Sequence, residues 1–165
     1  SLRLIPVDEV KLTVAKMIVA FIFSILIYML LFIITLFVEA LLHFSDLSVS
    51  VILTYFKMYI IDGACVFLAV SPIIAIVPYL KKSYWLALIL AEIYSFAGLF
   101  MSMSNSLRTF YPITAIFGVS GYYDTTFQGW SCSLGILVLC GCLSVALLKG
   151  LSHRQKGKTS NEKII

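Results

Sequence analysis

The stretch MIVAFIFSILIYMLLFIITLFV, residues 17–38, decides the fold class because it contains no charged side chain. A helix rises about 1.5 Å per residue, so about 20 apolar residues cross the roughly 30 Å hydrocarbon layer of a bilayer. In lipid, every backbone N–H and C=O group must be satisfied within the protein, and a helix does so within one segment. This stretch therefore predicts a transmembrane helix.

Three further stretches of similar length and apolarity follow, at residues 51–79, 84–103 and 130–148. The chain of 165 residues is 61% hydrophobic and 12% charged, whereas a soluble domain has roughly 25% charged residues. This composition excludes a soluble domain and a disordered chain. We predict an all-α, polytopic transmembrane helical bundle with four spans, occupying residues 17–148.

The distribution of basic residues predicts the orientation of the spans, because short cytoplasmic loops carry an excess of lysine and arginine. Residues 39–50 contain no basic residue, and residues 104–129 contain only Arg108. The other side carries Arg3, Lys11, Lys16, Lys81, Lys82, Lys149, Arg154, Lys156, Lys158 and Lys163. We therefore predict that both termini are cytoplasmic and that residues 149–165 form a basic cytoplasmic tail.

The segment 105–127, between the third and fourth spans, is too short for two crossings and too apolar for a solvated loop. It is divided into two short pieces by Tyr111 and Pro112 and by Gly118 and Gly121. This pattern predicts a re-entrant helical hairpin that dips into the outer leaflet. A plain extracellular loop on the membrane surface is the alternative.

The N-terminal segment, residues 1–16, has the pattern of a short amphipathic helix on the cytoplasmic surface. Asp8 is a suitable N-cap, because its carboxylate can accept hydrogen bonds from the first N–H groups of a helix. Val7, Val10 and Val14 recur at spacings of three and four residues and would form one apolar stripe.

The start Ile5-Pro6-Val7, with Lys11 and Lys16 before a long span, resembles the permease subunits of type-2 ABC exporters. This bacterial, ATP-driven group includes bacitracin-type and lantibiotic-immunity permeases. The corresponding element of that family is the coupling helix, which docks on the ATPase subunit. The resemblance implies that the ATPase-coupling residues are Pro6, Val7, Asp8, Val10, Lys11 and Val14. The four spans resemble spans three to six, so we expect this chain to be the C-terminal part of such a permease.

The resemblance also implies a function. The chain would be the permease subunit of an ATP-driven exporter in the cell membrane, moving an amphipathic peptide antibiotic or a lipid-like compound out of the cell, as in antibiotic resistance. Its expected partners are a cytoplasmic ABC ATPase, a second permease copy or related permease, and the lipid bilayer, with no nucleic acid. ATP and Mg would bind to the ATPase. The alternative is a small multi-pass scaffold or sensor without transport activity.

The sequence predicts no catalytic residue, no metal site and no cofactor bound by this chain. Gly150 and Gly157-Lys158-Thr159 come nearest to a phosphate loop, but six residues separate the two glycines instead of four. His43 and His153 fall on opposite sides of the predicted bilayer, and the cysteines form no Cys-x-x-Cys pair.

Charged residues inside the spans are the remaining candidates, because an ionised group in lipid is costly. Glu92 falls near the middle of the third span, with Ser95 on the same helix face and Ser71 at a similar depth on the preceding span. These three residues belong either to the substrate path or dimer seam, or to structural contacts between helices. Lys57 and Asp62 are expected to reach the headgroups from the outer end of the second span.

Overall fold

The computed structural model describes the backbone of residues 9–42, 48–80, 84–104, 107–123 and 126–162, and the side chains in these ranges except at positions 9, 84 and 154–162. All regular structure in these ranges is helical, which confirms the predicted fold class. The elements are α1 (Glu9–Leu42), α2 (Val49–Ile76) with a 3-10 turn after it (Val77–Leu80), α3 (Tyr84–Ser102), α4 (Leu107–Phe110), α5 (Pro112–Ser120) and α6 (Phe127–Glu162).

Four of these helices are long and apolar enough to cross a membrane, as predicted. The stretches that meet this criterion are Val10–Leu42, Val49–Leu80, Trp85–Ser102 and Phe127–His153. α1 continues without a break from Glu9 to Leu42, because no glycine or proline interrupts it. The described part of the N-terminal segment, residues 9–16, therefore forms the first turns of α1.

α1 and α2 pack closely as an antiparallel pair. The Ser24 hydroxyl donates a hydrogen bond of 2.7 Å to the carbonyl oxygen of Gly63. A Cβ atom on Gly63 would lie 3.3 Å from both the Cα of Ile25 and the Cβ of Tyr28, so glycine is what allows this approach. Ring contacts extend the seam on both sides, with centroid distances of 5.2 Å for Phe21–Phe67 and 5.4 Å for Phe32–Phe56.

α2 lies at the centre of the bundle, in contact with α1, α5 and α6. Small buried side chains on α2, such as Ala69 and Ala75, let its neighbours approach closely. The Ser71 and Ser144 hydroxyls form a buried hydrogen bond of 2.7 Å between α2 and α6. Packing and interhelical hydrogen bonds are the forces that associate helices in lipid, and α2 uses both.

The segment between α3 and α6 forms two short helices, α4 and α5. Pro112 begins α5 at a position that tolerates its missing N–H. Gly121 ends α5 with a φ of 87°, in the left-handed region that favours glycine. α5 packs on α2 and α6, and its Ala115 and Ile116 are fully buried. The two helices match the predicted hairpin in form, and its position in the outer leaflet stays a prediction.

Candidate functional site

A cavity of about 630 Å³ lies between α1, α2 and the C-terminal end of α5. Its volume falls within the range of small-molecule sites, about 300 to 1,000 Å³. The lining residues are Tyr28, Leu31, Phe32, Thr35, Leu36, Glu39, Val51, Ile52, Tyr55, Met58, Tyr59, Asp62, Phe117 and Tyr122. Most of the lining is apolar or aromatic, with two carboxyl groups.

Asp62 is the most deeply placed polar group of this cavity. Its side chain is 8% exposed, and its Oδ1 atom has no hydrogen-bond partner among the described residues. The Ser120 hydroxyl, at the end of α5, faces the same carboxyl group. The prediction that Asp62 reaches the headgroups is therefore wrong, because α1 approaches at the adjacent Gly63 and α5 places Ser120 beside the carboxyl group. Lys57, one and a half turns earlier, is exposed.

Aromatic side chains form the wall beside Asp62. The Tyr28 and Tyr59 rings lie 6.4 Å apart, and Phe32 packs edge-on against Tyr59 with a centroid distance of 5.7 Å. The Tyr59 hydroxyl shares a hydrogen bond of 2.8 Å with the Thr35 hydroxyl, which fixes the position of the ring. Tyrosine rings so placed offer both a π-face and a hydroxyl to a bound group.

Glu39 lines the other end of the cavity, close to the end of α1. Ten positions separate Asp62 from Ile52, which also lines the cavity, so these two α2 residues lie about 15 Å apart along the helix axis. No lysine or arginine is among the described residues that line the cavity. Asp62 and Glu39 are the acidic residues of this lining. A lining that has carboxyl groups and no lysine or arginine favours cations over anions.

The predicted ATPase-coupling residues divide between two parts of the chain. Pro6, Val7 and Asp8 lie outside the described residues. Val10, Lys11 and Val14 lie on the first turns of α1, where Lys11 and Val14 are exposed. The exposed side chains of Lys11 and Val14 can contact another protein, and the role of all three residues in coupling stays a prediction.

Glu92, Ser95 and Ser71 do not form one group. Glu92 and Ser95 lie on the exposed side of α3. Ser71 is 2% exposed and bonds to Ser144, so it faces α6. An exposed carboxyl group in the middle of a span is costly in lipid. The role of Glu92 and Ser95 in the substrate path, at a dimer seam or in helix packing stays a prediction.

The four residues predicted to shape the hairpin lie in α5 or directly next to its ends. Tyr111 precedes its first turn and donates a hydrogen bond of 2.5 Å to the carbonyl oxygen of Tyr94 on α3. Burial raises the pKa of the Tyr111 phenol, which keeps this donor protonated. Pro112 and Gly121 set the helix ends, and Gly118 is buried. Tyr111 thus ties the start of α5 to α3, and Gly121 ends the helix.

Sequence reasoning missed the cavity and the role of Asp62 in it. One signal was present: Tyr55, Tyr59 and Asp62 recur at i, i+4 and i+7 within an apolar span, which places them on one helix face. The opposite wall could not be found this way, because the pairing of α1 with α2 sets it. Among the described residues, no three His, Cys, Asp or Glu side chains come together as a metal site would need.

Comparison with known proteins gives one match. The sequence model of a family described as ABC-2 family transporter protein matches residues 1–98. This match covers more than half of the 165 residues and includes α1, α2 and most of α3. No curated protein and no solved structure matches the chain significantly. The family similarity thus includes the α1 and α2 walls of the cavity but not α5.

Proposed function

This chain belongs to the ABC-2 transporter family, and from that premise we propose that it is the membrane-spanning permease subunit of an ATP-driven ABC exporter. The family match over residues 1–98 carries the proposal. Four helices able to cross a membrane support it. A permease component moves its substrate without hydrolysing ATP itself, so a separate cytoplasmic ABC ATPase supplies the energy and holds the ATP and Mg.

The first turns of α1 are the proposed contact with the ATPase. Because α1 is unbroken from Glu9 to Leu42, movement at Lys11 would be transmitted along a rigid helix. The same helix lines the cavity from Tyr28 to Glu39. Closure of the ATPase subunits would thus shift one cavity wall against α2 and change the access of the transport path from inward to outward.

The proposed substrate is an amphipathic peptide antibiotic or a lipid-like compound, exported through the cell membrane. The mostly apolar cavity with few polar groups supports an amphipathic ligand. A second copy of the permease, or a related permease, is the proposed neighbour on the exposed face of α3. Glu92 and Ser95 would then lie at the seam between the two permeases.

Cysteine labelling tests the proposed orientation with both termini in the cytoplasm. In a variant with the four native cysteines replaced by alanine, Met103→Cys at the end of α3 is expected to react with an impermeant maleimide from outside the cell. His153→Cys, at the C-terminal end of the fourth span, is expected to react only after the membrane is permeabilised. Both native residues are exposed. Labelling of both positions from the same side would show that residues 105–127 cross the membrane completely.

Purification of the native protein in mild detergent, followed by mass spectrometry of the complex, tests the proposed function. We expect an ABC ATPase to be present in stoichiometric amount, because the exporter needs one to work. A complex without an ATPase would contradict the proposal and favour the scaffold or sensor alternative. The intact mass of the chain, measured in the same experiment, tests the expectation that it is part of a longer permease.

A further inference from the structure

We propose that the cavity between α1 and α2 binds the cationic head of a lipophilic cation, with Asp62 as its counter-ion. The role of this cavity in export rests on the proposed function. The substrates of the exporter would then be cationic amphiphiles. The site lies within a single chain, apart from the seam between permeases. Four features of the cavity carry the assignment: its buried carboxyl group with one unpartnered oxygen, its aromatic wall, its charge and its apolar rim.

The carboxyl group of Asp62 is the first feature. A buried polar atom without a partner is costly in an apolar interior, and ionisation raises the cost further. Asp62 lines the cavity and is 8% exposed, and its buried Oδ1 atom has no hydrogen-bond partner among the described residues. A cation bound in the cavity beside the Asp62 side chain would supply the opposite charge that the buried carboxyl group lacks.

The aromatic wall is the second feature. A cation within about 6 Å of a tyrosine ring is attracted to the π-face, and the attraction is stronger where water is excluded. Tyr28 and Tyr59 line the same part of the cavity as Asp62, because Ser24 bonds to Gly63 and fixes this region of α1 against α2. A quaternary cation has no hydrogen to donate to a carboxylate. It is held by charge and by contact with π-faces, so aromatic rings beside a carboxyl group suit it.

The acidic lining of the cavity and its apolar rim are the third and fourth features. Asp62 and Glu39 are the acidic lining residues, and no lysine or arginine lines the cavity in the described part of the chain. Leu31, Val51 and Tyr55 are lining residues that are also exposed, between 40% and 50%. They form a mostly apolar rim on the exposed surface of α1 and α2. A cationic amphiphile could place its head near Asp62 and its apolar part along this rim.

Binding of tritiated tetraphenylphosphonium to the full chain in lipid nanodiscs tests the site. We expect saturable binding that dodecyltrimethylammonium displaces and dodecyl sulfate, which has the same tail and the opposite charge, does not. Asp62→Asn is expected to weaken binding about tenfold or more, because it removes the charge and keeps the shape. Asp62→Glu is the matched control. It keeps the charge and is expected to bind more tightly than Asp62→Asn does.

Variants of Tyr59 keep the test decisive if Asp62→Asn fails to fold. Tyr59→Leu is expected to weaken binding about two- to fivefold, whereas Tyr59→Phe keeps the ring and most of the affinity. The proposal is overturned if wild-type binding is not saturable, if dodecyl sulfate competes as well as the cation does, or if folded Asp62→Asn or Tyr59→Leu binds as the wild type does.

This binding assay needs neither an ATPase nor transport, so it separates the two proposals. Saturable binding that depends on Asp62, in a protein without an ATPase partner, would keep the cation site and overturn the exporter. An ATPase partner together with no cation binding would keep the exporter and overturn the site.

Discussion

Replacing Gly63 with leucine is expected to separate α1 from α2 and to unfold the bundle. Even a Cβ atom at this position would lie 3.3 Å from the Cα of Ile25, a backbone atom that cannot move away alone. The larger leucine side chain would also break the hydrogen bond from Ser24 to the Gly63 carbonyl. Overpacking typically costs about 1 to 3 kcal/mol, and we expect the upper end of this range or more.

Gly135→Leu is the matched control for Gly63→Leu, because no atom lies within 4 Å of a Cβ built at Gly135. The control is expected to change stability by about 0.5 kcal/mol or less. Thermal unfolding in detergent, followed by size-exclusion chromatography, compares the two variants. Equal stability of the two proteins would contradict the close α1–α2 packing.

The double variant Val10→Ala/Lys11→Glu is expected to abolish the coupling of ATP hydrolysis to transport. Lys11 is exposed near the start of α1, where the proposed contact with the ATPase lies. Reversing its charge would replace attraction with repulsion at that contact. Loss of a central interface residue costs about 2 kcal/mol or more, so substrate-stimulated ATP hydrolysis by the complex should fall at least about tenfold.

Ile18→Ala is the control for coupling, because Ile18 is an exposed residue of α1 outside the predicted coupling element. It is expected to keep wild-type stimulation, as is Lys11→Arg, which keeps the charge. ATP hydrolysis by the purified complex, measured with and without substrate, gives the readout. Full stimulation in a folded double variant would exclude Val10 and Lys11 from the contact and support a scaffold function.

The sequence predicts the helices well because their signals are local. A charge-free run such as residues 17–38 has no other stable structure in lipid. Pro112 and Gly121 mark the ends of α5 because their backbone preferences do not depend on the rest of the fold. The described start of α1 is also explained by local signals, because residues 9–16 contain no glycine or proline that would end the helix.

The site was harder to predict because it depends on contacts between distant parts of the chain. The depth of Asp62 along its span can be counted from the sequence. Its burial depends on Gly63 meeting α1 and on Ser120 arriving from α5. Glu92 shows the reverse case, because its depth suggests an interior position while α3 presents it on the exposed side. Position along a span is local information, but the direction that a side chain faces depends on tertiary packing.

The central place of α2 has a consequence for the order in which the protein is assembled. Helices insert individually and pack afterwards, and α1 and α2 can pair as soon as both have left the ribosome. α5, which places Ser120 beside Asp62, ends 44 residues after α2 does, a delay of several seconds at common rates of synthesis. During that interval the carboxyl group lacks its cover. Membrane insertion of this chain is therefore expected to be most vulnerable after the second span and until α5 has followed the third span, when an insertase that shields polar groups would help most.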